Sequence, residues 1–107
     1  MVWQATLVLA AAIAPATAQE KTVGYDAVLT CFEAQAVRLD DGTSDPISIA
    51  RVMVPACDPE LLYLADLLTR GEKRADRKRT YLIQELRMEY TVPASIVLQL
   101  RKRKAAQ

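Results

Sequence analysis

Two cysteines, Cys31 and Cys57, lie 26 positions apart in a chain of 107 residues that contains no histidine. That pair constrains the fold more than any other feature. A metal site needs further ligands, and without histidine the usual ones are missing. A redox pair favours close C-x-x-C spacing, which this is not. The expected chemistry is a structural disulfide, with two buried free thiols as the alternative. Closing a loop of this length stabilises a fold by roughly 3 kcal/mol in the chain-entropy model. The stretch between the cysteines reads as a helix–turn–helix hairpin. Val28, Phe32, Ala36 and Leu39 recur at helical spacing, and Phe32 is the expected core anchor beside Cys31. Asp40-Asp41-Gly42-Thr43 breaks the pattern as a turn. Ser44-Asp45-Pro46 restarts a helix with a capping side chain and a proline in the first turn. Ile47, Ala50, Met53 or Val54, and Cys57 can line its inner face, and Pro55 predicts a kink or an end near Val54, itself pushed toward extended geometry.

A disulfide implies an oxidising compartment, and the N-terminus agrees. Met1 to Ala18 reads as a signal peptide, with an apolar run from Leu7 to Ala14, a helix-breaking Pro15, and small residues Ala16 and Ala18 at the −3 and −1 positions. The expected cleavage precedes Gln19. No Lys or Arg precedes the run, a departure from the usual signal pattern. The whole apolar stretch, including Gln4 and Thr6, is about 17 residues, shorter than the roughly 20 that span a bilayer, which argues against a retained anchor. Removing eighteen of the 107 residues leaves a single domain of 89, residues 19–107, small enough to benefit from a staple. The expected location is the periplasm or the exterior of a bacterium.

Along the rest of the chain the pattern stays helical. Gln19 to Gly24 reads as frayed, with the first helix starting near Tyr25-Asp26. Asp58-Pro59-Glu60 is a helix start with Asp58 as cap. Leu61 to Leu68 is apolar on most sides and should fill the centre. Gly71 suits the position after the helix end. The longest predicted helix runs from the basic segment through Tyr90, with Leu82, Ile83, Leu86 and Tyr90 on one face, and Val92-Pro93 ends it. Ala94 to Lys104 reads as a final short helix with Ile96, Val97 and Leu100 inward; a lone strand over Ile96 to Leu100 would have no partner. The expected fold is all-α, a small bundle of four or five short helices with one disulfide.

The near-neutral total charge hides a division. Gln19 to Asp66 holds three Lys/Arg against nine Asp/Glu, and Leu67 to Gln107 eleven against four. One reading is a solvated helix face whose charges partly neutralise the acidic half in the folded monomer. The other reading is a basic interaction surface formed by Arg70, Lys73, Arg74, Arg77, Lys78, Arg79, Arg101, Lys102, Arg103 and Lys104, with the Arg101–Lys104 tail exposed. It would suit an acidic protein, an anionic membrane surface, or the acidic half of a second copy. Nucleic acid is disfavoured, because no aromatic residues interleave with the basic run and an exported chain rarely meets any.

Catalytic patterns are missing from the sequence: no histidine for a triad, no G-x-S-x-G, no phosphate-binding glycine loop. Asp40, Asp41 and Asp45 do not meet EF-hand spacing, since the twelfth position from Asp40 is Arg51. No metal or cofactor is expected. The leading expectation is a non-enzymatic interaction protein that uses its basic second half. The alternatives are a structural or stress-related protein without a ligand, and a small-ligand carrier with a pocket between helices.

Overall fold

The computed structural model describes residues 14–107; of the expected signal peptide, residues 1–18, residues 1–13 lie outside them. Among the described residues there are five helices and no strand: α1 (Ala18–Leu39), α2 (Pro46–Ala56), α3 (Asp58–Thr69), α4 (Ala75–Arg87) and α5 (Thr91–Ala105). The fold is an all-helical bundle with the expected disulfide. The final segment is helix, not strand, and begins at Thr91, so that Pro93 lies in its first turn rather than ending the helix before it.

The organising element is α1. Its buried residues are Gly24, Val28, Phe32 and Ala36, four apart, and this stripe faces α2, α3 and α5. It has 22 residues against 13 in α4, so the longest helix is the first one and not the basic one. It also begins earlier than Tyr25. Thr17 and Glu20 form a capping box: the Glu20 N–H donates to Thr17 Oγ1 at 3.1 Å, and the Thr17 N–H donates to Glu20 Oε1 at 3.1 Å. Two backbone donors that would otherwise fray the start are satisfied. Gly24 therefore sits inside the helix. A β-carbon there would lie 2.7 Å from Leu67 Cδ1 and 3.3 Å from Leu64 Cδ1, so glycine is what lets α3 approach.

The turn after α1 uses Asp40, Asp41 and Gly42 as read, with Gly42 at φ +82°. The Gly42 N–H donates to Asp40 Oδ1, and the Thr43 and Ser44 N–H groups donate to Asp41 Oδ1. Asp45 caps α2 through the Ser48 N–H, with Pro46 at its first position. Pro55 does not end α2 at Val54. The proline stands one residue before the helix end, so it forgoes a single intrahelical bond, and the Cys57 N–H still closes the last turn on Met53. The inward face is Ile49, Ala50, Met53 and Val54, while Ile47 is exposed.

Cys31 and Cys57 are bonded, with their α-carbons 5.9 Å apart. The bridge ties the middle of α1 to the junction of α2 and α3. On α3, Leu61, Leu64, Ala65 and Leu67 are buried but Leu62 and Tyr63 are exposed, so this helix is a flank of α1 rather than the centre. Asp58 is not a cap: it is the first residue of α3, and both its oxygens accept from Arg87 at 2.8 Å. Gly71, at φ +80°, follows the end of α3 as expected. α4 packs chiefly on α3 and has no fully buried residue. Leu82, Ile83 and Leu86 are half-buried; Tyr81 and Met88 are exposed.

Candidate functional site

The sparse packing of α4 leaves a hollow. α4 rests on α3 without closing against α1, and a cleft of about 290 Å³ opens between them. Its floor is core: Val28 and Phe32 of α1, Leu61 and Leu64 of α3, all buried. Its walls are Leu86 of α4 and Val92 of α5, and its rim is Tyr25 and Leu29 of α1. Tyr25, Leu29 and Val92 are 49%, 40% and 44% exposed, so the rim is open apolar surface. The one charged lining residue, Glu89, is already engaged: its Oε1 accepts from the Thr91 N–H at 2.6 Å and the Val92 N–H at 3.3 Å, capping α5. The cleft can hold an apolar body and offers few fixed polar partners.

The ten basic residues singled out in the sequence do not form one surface. Arg70, at the end of α3, lies beside the start of α1, where its guanidinium meets Asp66 at 2.7 Å and Glu20 at 3.5 Å. Arg79 reaches Asp66 at 3.9 Å, and Lys78 pairs with Glu72 at 3.2 Å. Lys73, Arg74 and Arg77 belong to the same end. Arg101 lies at the other end of α1. It donates to Asp40 Oδ1 at 2.8 and 3.1 Å and to the Ser44 carbonyl at 2.6 Å. Glu20 and Asp40 are twenty residues apart on one helix, about 30 Å at 1.5 Å per residue, which separates the two basic clusters.

Arg101 is also not part of an exposed tail. Its side chain is 23% exposed and that of Asp40 only 1%, so the pair is an internal clamp between α5 and the α1–α2 turn. The Arg101 guanidinium, with the Gly42 N–H, holds the Asp40 carboxyl below its ordinary value. The Ser44 hydroxyl and the Ser44 and Thr43 N–H groups hold Asp41 well below the usual carboxylate range. The Arg87 guanidinium lowers Asp58 in the same way. Among the described residues no salt bridge involves Lys73, Arg74, Arg77, Lys102, Arg103 or Lys104.

The Cys31 and Cys57 sulfurs and a Glu60 carboxylate oxygen lie within 4.8 Å of one another. The sulfurs are spent on the disulfide, so this group does not hold a metal in the oxidised chain. Glu60 Oε2 is buried there without a hydrogen-bond partner. Sequence reading missed the cleft because its residues come from four segments. The available hint was the outward Tyr25 and Leu29, beside the Val28–Phe32 stripe.

No protein-family model matches the chain, and neither a curated protein nor a solved structure matches it.

Proposed function

We propose that the chain is an exported, non-enzymatic binding protein that holds a small apolar ligand in the cleft between α1, α3, α4 and the start of α5. The observation that carries this reading is the cleft's lining: aliphatic and aromatic side chains around about 290 Å³, with its single carboxylate already hydrogen-bonded. That volume is at the small end of ligand pockets and suits a short aliphatic chain or a fused aromatic ring system. Export is supported by the leader-like N-terminus and by the disulfide. The probe is N-phenyl-1-naphthylamine, an uncharged fluorophore. Saturable one-to-one binding, lost in Leu29→Glu at unchanged thermal stability, is expected. Absence of saturable binding, or binding indifferent to that change, would refute the cleft reading.

A second reading is favoured by the six of the ten surface cations that have no ion-pair partner: docking of an anionic surface or acidic protein at either basic end. Co-sedimentation with vesicles of phosphatidylglycerol, compared with phosphatidylcholine, tests it. Equal negligible binding removes the lipid version; an acidic peptide column, with Arg74→Glu/Arg77→Glu as control, tests the protein version.

A further inference from the structure

The segment before α1 contains two bonds that satisfy the small-residue rule for signal-peptide removal. Ala16 and Ala18 flank the bond before Gln19; Ala14 and Ala16 flank the bond before Thr17 in the same −3, −1 arrangement. The structure distinguishes what each cut would leave on the mature chain. Residues 14–17 lie outside the helix, and Thr17 is extended at φ −72° and ψ 163°. Ala18 and Gln19 are the first two residues of α1. A cut before Gln19 deletes Thr17, and with it both hydrogen bonds of the capping box. Glu20 would keep only its contact with Arg70 at 3.5 Å.

We infer that the leader is removed at the Ala16–Thr17 bond, which makes Thr17 the first residue of the mature protein. This rests on the export reading above. The step is hydrolysis: the amide C–N bond breaks, water supplies the oxygen of the new Ala16 carboxylate, and Thr17 keeps its nitrogen as an ammonium. Thr17 Oγ1 still accepts from the Glu20 N–H. The new ammonium sits 3.1 Å from Glu20 Oε1, so a neutral amide donor becomes a charged one and the bond becomes charge-assisted. The same contact offsets the poor placement of a positive charge at the positive end of the helix dipole. Ala16 is buried in the folded chain, at 8% exposure, so the cut comes before this end folds. Processing thus leaves an N-terminus that caps its own longest helix.

The test is N-terminal sequencing of the protein recovered from the periplasm of a bacterium expressing all 107 residues. A start at Thr-Ala-Gln-Glu is expected. Ala18→Glu, which spoils the −1 position of the other bond only, should leave that start unchanged. A start at Gln19 overturns this inference and leaves export standing. A start at Met1 overturns both. As an independent measure, chains begun at Thr17 and at Gln19 are refolded with the disulfide formed. The Thr17 chain should unfold about 4–8 °C higher, the effect of one good helix cap in a domain this small. Equal midpoints would count against the retained cap.

Discussion

Replacing Gly24 with alanine sets two opposing effects against each other at one atom. Inside an exposed helix the change stabilises by about 1 kcal/mol, because glycine has more backbone freedom to lose. Here the added β-carbon would stand 2.7 Å from Leu67 Cδ1, about 0.8 Å inside ordinary carbon–carbon contact. Leu67 is 1% exposed and has no open space to swing into. Forcing a methyl into a packed core costs about 1–3 kcal/mol. The cost wins, and Gly24→Ala should destabilise by about 1 kcal/mol net, lowering the unfolding midpoint by about 4–8 °C. The sign should reverse when the obstructing atom is gone. Leu67→Ala alone costs about 2–5 kcal/mol as a buried truncation. In that background Gly24→Ala no longer meets Leu67 Cδ1, and Leu64 Cδ1 at 3.3 Å has to give by only a few tenths of an ångström, so the change recovers up to about 1 kcal/mol. The double-mutant cycle should therefore show a coupling of about 2 kcal/mol. Urea unfolding followed by far-UV circular dichroism reads all four proteins. If Gly24→Ala stabilises the wild type, or if the two changes simply add, then α1 and α3 do not approach as described.

Removing the bridge with Cys31→Ala/Cys57→Ala should cost about 3 kcal/mol or more, since it frees the loop and opens space at the buried Cys57; urea unfolding with and without reductant checks it. The Glu60 carboxylate beside the sulfurs repels an attacking thiolate, so Glu60→Gln should speed reduction by dithiothreitol several-fold, and an unchanged rate would dismiss that role. Arg74 holds the left-handed conformation at φ 55° and ψ 39°, so Arg74→Gly should stabilise by up to about 1 kcal/mol in the same unfolding assay. Asp40, Asp41 and Asp58 have lowered carboxyl pKa values in the folded chain, so the stability they provide is present above the ordinary Asp value and is lost as pH falls below about 4, where the unfolded chain takes up protons first. Melting curves should hold level above pH 5 and decline below pH 4, with a shallower decline in Arg101→Met.

Features that act over a few residues were legible in the sequence. Asp45-Pro46, Gly42 and Gly71 do what their local chemistry dictates, and Cys31 and Cys57 pair. The failures have two physical causes. At Thr17-Ala18-Gln19-Glu20 a capping box was present, but the same residues also read as a cleavage site, so the helix start was placed seven residues late at Tyr25. At Asp58 and Arg101 the local signals were a cap and a charged tail. Each instead met a partner far along the chain, Arg87 at 29 residues and Asp40 at 61. No pattern of three or four residues encodes such a meeting. The cleft is illegible for the same reason: it is a gap between α1 and α4, which packing leaves rather than sequence specifies.

The charge division, clear in the sequence, acquires a different meaning in the fold. Six of the seven salt bridges among the described residues join an acid before Leu67 to a base after it. Exposed pairs of this kind contribute little stability each. Their geometry carries more information than their energy. Glu20–Arg70 sets the end of α3 against the start of α1, Asp58–Arg87 sets the end of α4 against the start of α3, and Asp40–Arg101 fixes α5 on the α1–α2 turn. The pairs thus mark which helix ends meet in the folded bundle. Of the ten basic residues singled out in the second half, the six without a salt bridge are divided between two ends about 30 Å apart, several times the screening length of about 8 Å at physiological salt. Two such clusters do not add into one attractive field, so an anionic partner meets only one of these groups of three at a time. The apolar cleft, by contrast, is continuous, and that difference favours it as the proposed working surface.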